Sequence, residues 1–197
     1  MSFVRYWPLM SISRCASLAV LSSSLAGLPA FATQVVHFDT PGLVRGSSDI
    51  VIGRVEGTRS YWNDRHTKIL TEVSVRVSET LKGAPPGELR LVQLGGEVEG
   101  MRYHVPGSPL FAPGEEALLF VWRDAAGRAQ VNALAQGKFD IRRDPATGAR
   151  RVQRPLPGLA ITEARTLRAA PAGGAAPGVP LEDLLREIRR ALAEDGR

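Results

Sequence analysis

The chain is almost without cysteine. Cys15 is the only one, and it falls within the first 32 residues, a stretch that reads as a removable leader. The rest has no disulfide to staple it, although an oxidising compartment would permit one. Stability must then come from an ordinary apolar core, which about 165 residues can supply as one domain. Charge of one sign is also scarce. Without Arg5 and Arg14 of the leader, 23 basic residues face 20 acidic ones, and the net charge falls from +5 to +3. So small an excess argues against a nucleic-acid partner. No second apolar run of spanning length follows the leader, so no transmembrane segment is expected after it. Neither H-E-x-x-H, paired Cys nor G-x-S-x-G occurs, which removes the sequence signals for a zinc site and for a nucleophile elbow. No cofactor is expected.

The leader itself is legible. Arg5 and Arg14 precede "CASLAVLSSSLAGLPAFA", a small, uncharged, apolar run that closes on Ala30-Phe31-Ala32. A basic start, an apolar middle and a small-x-small end define a secretory signal. Cleavage is expected after Ala32, with the product in the periplasm or outside the cell. Four Ser and the Gly and Pro breaks speak against a membrane anchor, and Arg14 before Cys15 speaks against a lipid-attachment site.

The remainder divides into a β-rich domain over 33–153, a Pro/Ala/Gly-rich linker over 154–180 and a helix over 181–195. "TQVVHF" is a short β-prone start, and Thr40 with Pro41 suggests a single capped helical turn. The clearest strand lies in "HTKILTEVSVRVSETLKG". Ile69, Thr71, Val73, Val75 and Val77 fall on one face, and Glu72, Ser74, Arg76 and Ser78 on the other. Alternation of period two marks a half-buried strand. "ELRLVQL" is the next strand, and "EALLFVWRD" reads as a core strand because it is nearly all apolar. "DAAGR" is a hairpin turn, and "GKFDIRRD", "PATG" and "ARRVQR" form a further hairpin. Six or seven short strands joined by tight turns predict a mainly β fold, a small barrel or sandwich. In "LEDLLREIRRALAEDGR", Leu181, Leu184, Leu185, Ile188, Ala191 and Leu192 share one stripe, which predicts an amphipathic helix. It either packs back on the β domain or docks on a partner.

Chemistry is densest in Leu94–Glu116, a connection with five Gly and three Pro. Arg102, Tyr103 and His104 stand together there, and Arg and Tyr are frequent binding anchors. Trp62, in the "RSYWNDRH" turn, is a second exposed aromatic. These four are the candidate binding surface, since loops on a rigid scaffold are where binding usually sits. Glu97 and Glu99 would share one face of an extended chain about 6.5–7 Å apart, a separation that suits carboxylate-pair hydrolysis. His37, His66 and His104 lie in three different segments, with no spacing that brings them to one metal. Lys138, Arg142, Arg143, Arg150, Arg151 and Arg154 crowd one hairpin, where a solvated face competes with an anion-binding one.

From Ser47 to Ile141, the series "SSDIVIGRVEG", "TEVSVRVSETLKG", "LVQLGG", "FAPGEEALLFVW" and "LAQGKFDI" resembles small exported bacterial proteins of unknown function. It also resembles netrin-like modules, including the tissue inhibitors of metalloproteinases. That resemblance implies a small OB-like, antiparallel β-barrel with helices packed on it, in an exported protein. The inhibitors place an N-terminal Cys on the protease zinc, whereas the expected start here is Thr33-Gln34, so that mechanism does not carry over. The expectation is therefore an exported, non-enzymatic binding module for an extracytoplasmic protein or polymer. The alternatives are a regulator of a secreted metalloprotease, and a hydrolase built on Glu97 and Glu99.

Overall fold

The computed structural model describes residues 33–156, 159–162 and 178–196. The leader over 1–32 and the linker residues 163–177 lie outside them. The fold is mainly β. Strand β1 (Thr33–Val36) is followed by helix α1 (Thr40–Arg45), β2 (Asp49–Trp62), β3 (Ile69–Lys82) and β4 (Glu88–Leu94). Short strands β5 (Gly96–Val98) and β6 (Met101–Tyr103) lead to β7 (Glu116–Arg123) and β8 (Ala129–Val131). A 3-10 turn at Leu134–Gly137 precedes β9 (Lys138–Arg143) and β10 (Arg150–Gln153). Strands β11 (Leu159–Thr162) and β12 (Val179–Pro180) precede helix α2 (Leu181–Asp195). Among the described residues no helix is long and apolar enough to cross a membrane.

The strands β2, β3 and β4 form a meander, and β2 also pairs with β7. Strand β8 pairs antiparallel with β7 and parallel with β4 through Leu91 and Ala129, so the five strands close into a ring. That parallel joint is the ring's one departure from antiparallel pairing. Strands β9, β10 and β12 extend the sheet outward from β7. Strand β1 pairs in parallel with β11. Two segments of the expected linker, Leu159–Thr162 and Val179–Pro180, are thus strands, because β1 and the free edge of β10 each offer them a ladder.

Burial follows the alternation of side chains along these strands. Val51, Val55, Val73, Val75, Leu89, Leu91, Ala117, Leu119 and Val121 form one core cluster, from strands of the ring. The opposite faces of β2 and β7 carry Ile50, Ile52, Leu118 and Phe120, which pack with Phe139, Ile141 and Val152 against both helices. Buried on both faces, β7 reads as a continuous apolar run rather than an alternating one. Strand β2 is long and irregular, with register shifts near Gly53 and Gly57, the kind of bulging that bends a strand around a ring.

Local chemistry sets the element ends. The cap of α1 is Asp39, one residue before the expected Thr40, since its carboxylate accepts from Gly42 N at 2.8 Å. In α2, Glu182 and Asp183 occupy the first turn, but the last turn has no basic residue of its own. Lys82 of β3 supplies that charge from outside, 3.6 Å from Asp195 and bonded to Val44 O at 2.8 Å. Asp49 and Gly83, both in the stretches that carry the family resemblance, meet each other. A Cβ on Gly83, whose φ is +80°, would collide with the Asp49 carboxylate. Asp49 is buried and ion-paired to Arg123 at 3.2 Å, so this pair packs the fold.

Two hairpin turns rest on aspartates. Asp124 accepts from Ala126 N, Arg128 N and Arg128 Nε, and Asp144 accepts from Ala146 N and Thr147 N. Bonding to Arg128 holds Asp124 below its ordinary pKa of 3.8, and the backbone bonds from Thr147 and Ala146 do the same for Asp144. A depressed carboxylate stabilises the fold above its unfolded pKa, and that contribution fades as pH falls through the folded value. An acid titration of stability should therefore show a loss beginning below about pH 4. Asp124→Asn with Asp144→Asn should flatten it. A titration of unchanged steepness in that variant would refute the assignment.

Candidate functional site

The Leu94–Glu116 segment is not a plain loop. Strands β5 and β6 form a separate two-stranded hairpin, with Glu97 opposite Arg102 and Val98 opposite Met101. Its turn is Glu99-Gly100, with φ of 52° and 78°. Two residues of positive φ form the tight turn that suits the twist of paired strands. The hairpin is moored by its glycines. Gly95 N donates to Ile69 O at 2.9 Å, and Thr71 Oγ1 donates to Gly95 O at 2.7 Å. Gly96 lies so close to the β2–β3 ladder that a Cβ would strike Ser60 Oγ and Thr71 Oγ1. A side chain at position 96 would lift the hairpin off the ladder.

This mooring brings the hairpin beside the tip of β2–β3. There Asn63 Oδ1 accepts from Thr67 N at 2.8 Å and Lys68 N at 3.0 Å, which fixes the turn, and His66 adopts a φ of 50°. Trp62 stacks on His66, with ring centroids 5.8 Å apart. Trp62, Lys68, Ile69, Met101, Arg102 and Tyr103 line a groove of about 400 Å³. Met101 and Tyr103 are 52% and 43% exposed, unusual for large side chains in a strand. A second cleft, of about 280 Å³, includes Arg102, Tyr103 and His104 with Gln93, Ser108 and Phe111. Gln93 Nε2 is buried in this region and has no hydrogen-bond partner among the described residues.

Of the four residues chosen from sequence, Trp62, Arg102 and Tyr103 share the first groove. His104 joins Arg102 and Tyr103 in the second and does not meet Trp62 there. Arg102 is engaged, its Nε and Nη2 donating to Glu97 Oε2 at 3.0 and 2.7 Å. Both partners are exposed, so the pair orients Arg102 more than it stabilises the hairpin. The same contact corrects the Glu97–Glu99 spacing. Strand β5 ends at Val98 and Glu99 sits in the turn, so the extended geometry that would set the two carboxylates on one face is absent. Among the described residues no three His, Cys, Asp or Glu side chains gather as a metal site.

Set against family models, curated proteins and solved structures, the chain matches none. The geometry of the site must then speak for itself. Sequence reasoning missed Lys68 and Gln93 because nothing in their immediate neighbours marks them. It also passed over Leu110, which is 65% exposed. The tight E-V-E-G-M-R pattern, a two-residue turn between short β-prone pieces, was the available signal for the hairpin.

The basic hairpin β9–β10 departs from a solvated face. Lys138 is 1% exposed, 3.0 Å from Glu115 Oε1, bonded to Asp140 Oδ1 and 5.0 Å from the Phe111 ring centre. Arg154 lies over the Phe139 ring at 4.4 Å, and burial pulls its pKa below the ordinary arginine value, partly offset by Glu187. Of the six basic residues there, only Arg142 and Arg143 are exposed.

Proposed function

We propose that this protein is an exported, non-enzymatic binding module that takes a protein or polymer of the cell envelope or exterior. The contact face is the hairpin β5–β6 with the tip of β2–β3, centred on Trp62, Arg102 and Tyr103 and extended by His104. One observation carries the reading: Met101 and Tyr103 are exposed on a separately moored hairpin beside Trp62, around a groove large enough for side chains of a partner. Aromatic and Arg side chains beside an apolar Met are the usual composition of an interface centre. The leader at 1–32 supports export. The ring order β2-β3-β4-β8-β7 supports an OB-type barrel of the netrin-like kind, in which loops on a closed scaffold do the binding.

The test is affinity capture from the envelope and culture fluid of the producing cell. The purified protein would serve as bait beside Arg102→Ala, Tyr103→Ala, His104→Ala in one chain. A partner held by the parent and lost at least tenfold by the variant, on the scale of a hot-spot truncation, is the expected outcome. Circular dichroism should be unchanged, because all three side chains are exposed. Equal capture by both proteins would sink the assignment to this face.

A further inference from the structure

We infer a second site, independent of the hairpin face: the groove of about 420 Å³ where β9 outruns β7 is a receptor for a phosphate-bearing anion. The last residue of β9 paired to β7 is Ile141, opposite Glu116, so Arg142 and Arg143 overhang the start of β7. Arg54 of β2 closes the other side, and Gly114, Glu115 and Asp140 complete the lining.

The groove holds carboxylates as well as guanidiniums, and although Arg54 stands opposite Glu116 in the β2–β7 ladder, no ion pair joins the two kinds within the groove among the described residues. Glu115 and Asp140 are both answered by buried Lys138, which is not among the groove's lining residues. Glu116 is met by Arg150 at 3.7 Å, and Arg150 is shared with Glu182 at 3.8 Å. The groove's own guanidiniums are left with backbone acceptors or none. Arg54 Nη1 donates to Gly114 O at 2.8 Å and Arg143 Nη1 to Gly148 O at 3.3 Å. The Arg142 side chain makes no hydrogen bond or ion pair among the described residues.

The ladder sharpens the point. Arg142 stands directly opposite Arg151, and Arg143 directly opposite Arg150. Like charges facing each other across a strand pair are destabilising. Asp144, at the neighbouring turn, is taken up by the backbone N–H groups of Ala146 and Thr147. An oxyanion seated in the groove would relieve that repulsion and take up the guanidinium donors that the protein leaves free. Planar guanidinium forks match phosphate oxygens in pairs, a geometry that Lys does not reproduce.

The experiment is calorimetric titration of the purified protein with inorganic pyrophosphate at constant ionic strength, beside flotation with phosphatidylglycerol vesicles. The variants are Arg142→Gln with Arg143→Gln, and Arg54→Gln alone, which keeps the test intact if the double variant misfolds. The expected result is saturable, one-to-one pyrophosphate binding, weakened about tenfold or more in each variant, on the scale of lost charge-assisted bonds. Vesicle binding that falls in parallel would show that the same group is recognised on a lipid carrier. Vesicle binding without pyrophosphate binding would overturn the site in favour of diffuse surface charge. So would pyrophosphate binding that the variants leave unchanged, or none at all.

Discussion

Lys138→Met should lower stability by about 3 kcal/mol, near the low end of what breaking a buried ion pair costs. The ammonium is nearly inaccessible and serves two carboxylates at once. Met keeps the stem's volume, so the loss measures the charge, including the ammonium's place over the Phe111 ring, and not packing. The magnitude stays at the low end because the Glu115 and Asp140 side chains remain 22% and 18% exposed, and water partly compensates them. Adding Glu115→Gln and Asp140→Asn to Lys138→Met should restore much of the loss, since the stranded charges then disappear. Urea midpoints of the single and triple variants decide it. A single variant as stable as the parent would show that the ion cluster contributes nothing. Because Glu115 lies one residue before the end of the Leu94–Glu116 segment, hydrogen exchange in that segment should also quicken when Lys138 is replaced.

Ile188→Ala should cost about 3 kcal/mol, within the usual range for emptying a core site. Helix α2 buries Leu181, Leu184, Leu185, Ile188 and Ala191 in the cluster formed by Ile50, Ile52, Leu118, Phe120, Phe139, Ile141 and Val152. Ile188 is wholly inaccessible there. The same change separates the two readings of an amphipathic helix. A helix held ready for a partner would lose capture and keep its melting temperature. A helix that completes the core loses stability and keeps capture. Leu192→Ala is the internal control, because Leu192 only borders the cluster and should cost less.

How far the sequence could be read depended on how many faces each element buries. Strand β3 buries one face, so Ile69, Val73 and Val75 stood out against Glu72, Ser74 and Arg76, and the structure keeps that division. Strand β7 buries two, so its apolar run identified a core strand but hid which residue faces which layer. The hairpin β5–β6 escaped because three-residue strands carry too few alternations to reveal a period. Lys138 escaped for a different reason. It sits in a run of arginines, where a charged residue reads as solvent-facing, and only the fold brings Glu115 and Phe111 to it. Trp62 and Tyr103 were found separately, 41 positions apart, and what joined them was the glycine mooring of residues 95 and 96.

The outer core has an implication for how the chain is made. Ile50 and Ile52 lie early in the sequence, yet their cover, residues 181–195, lies more than 125 positions later. Loop closure of that length is slow to find and rewards nothing until it is complete. While the chain is being synthesised, β2 and β7 can register with each other but must leave one face bare until α2 emerges. A nascent polypeptide in that condition keeps its outer core open throughout synthesis, and it reaches its final packing only when the last turn of α2 has been made.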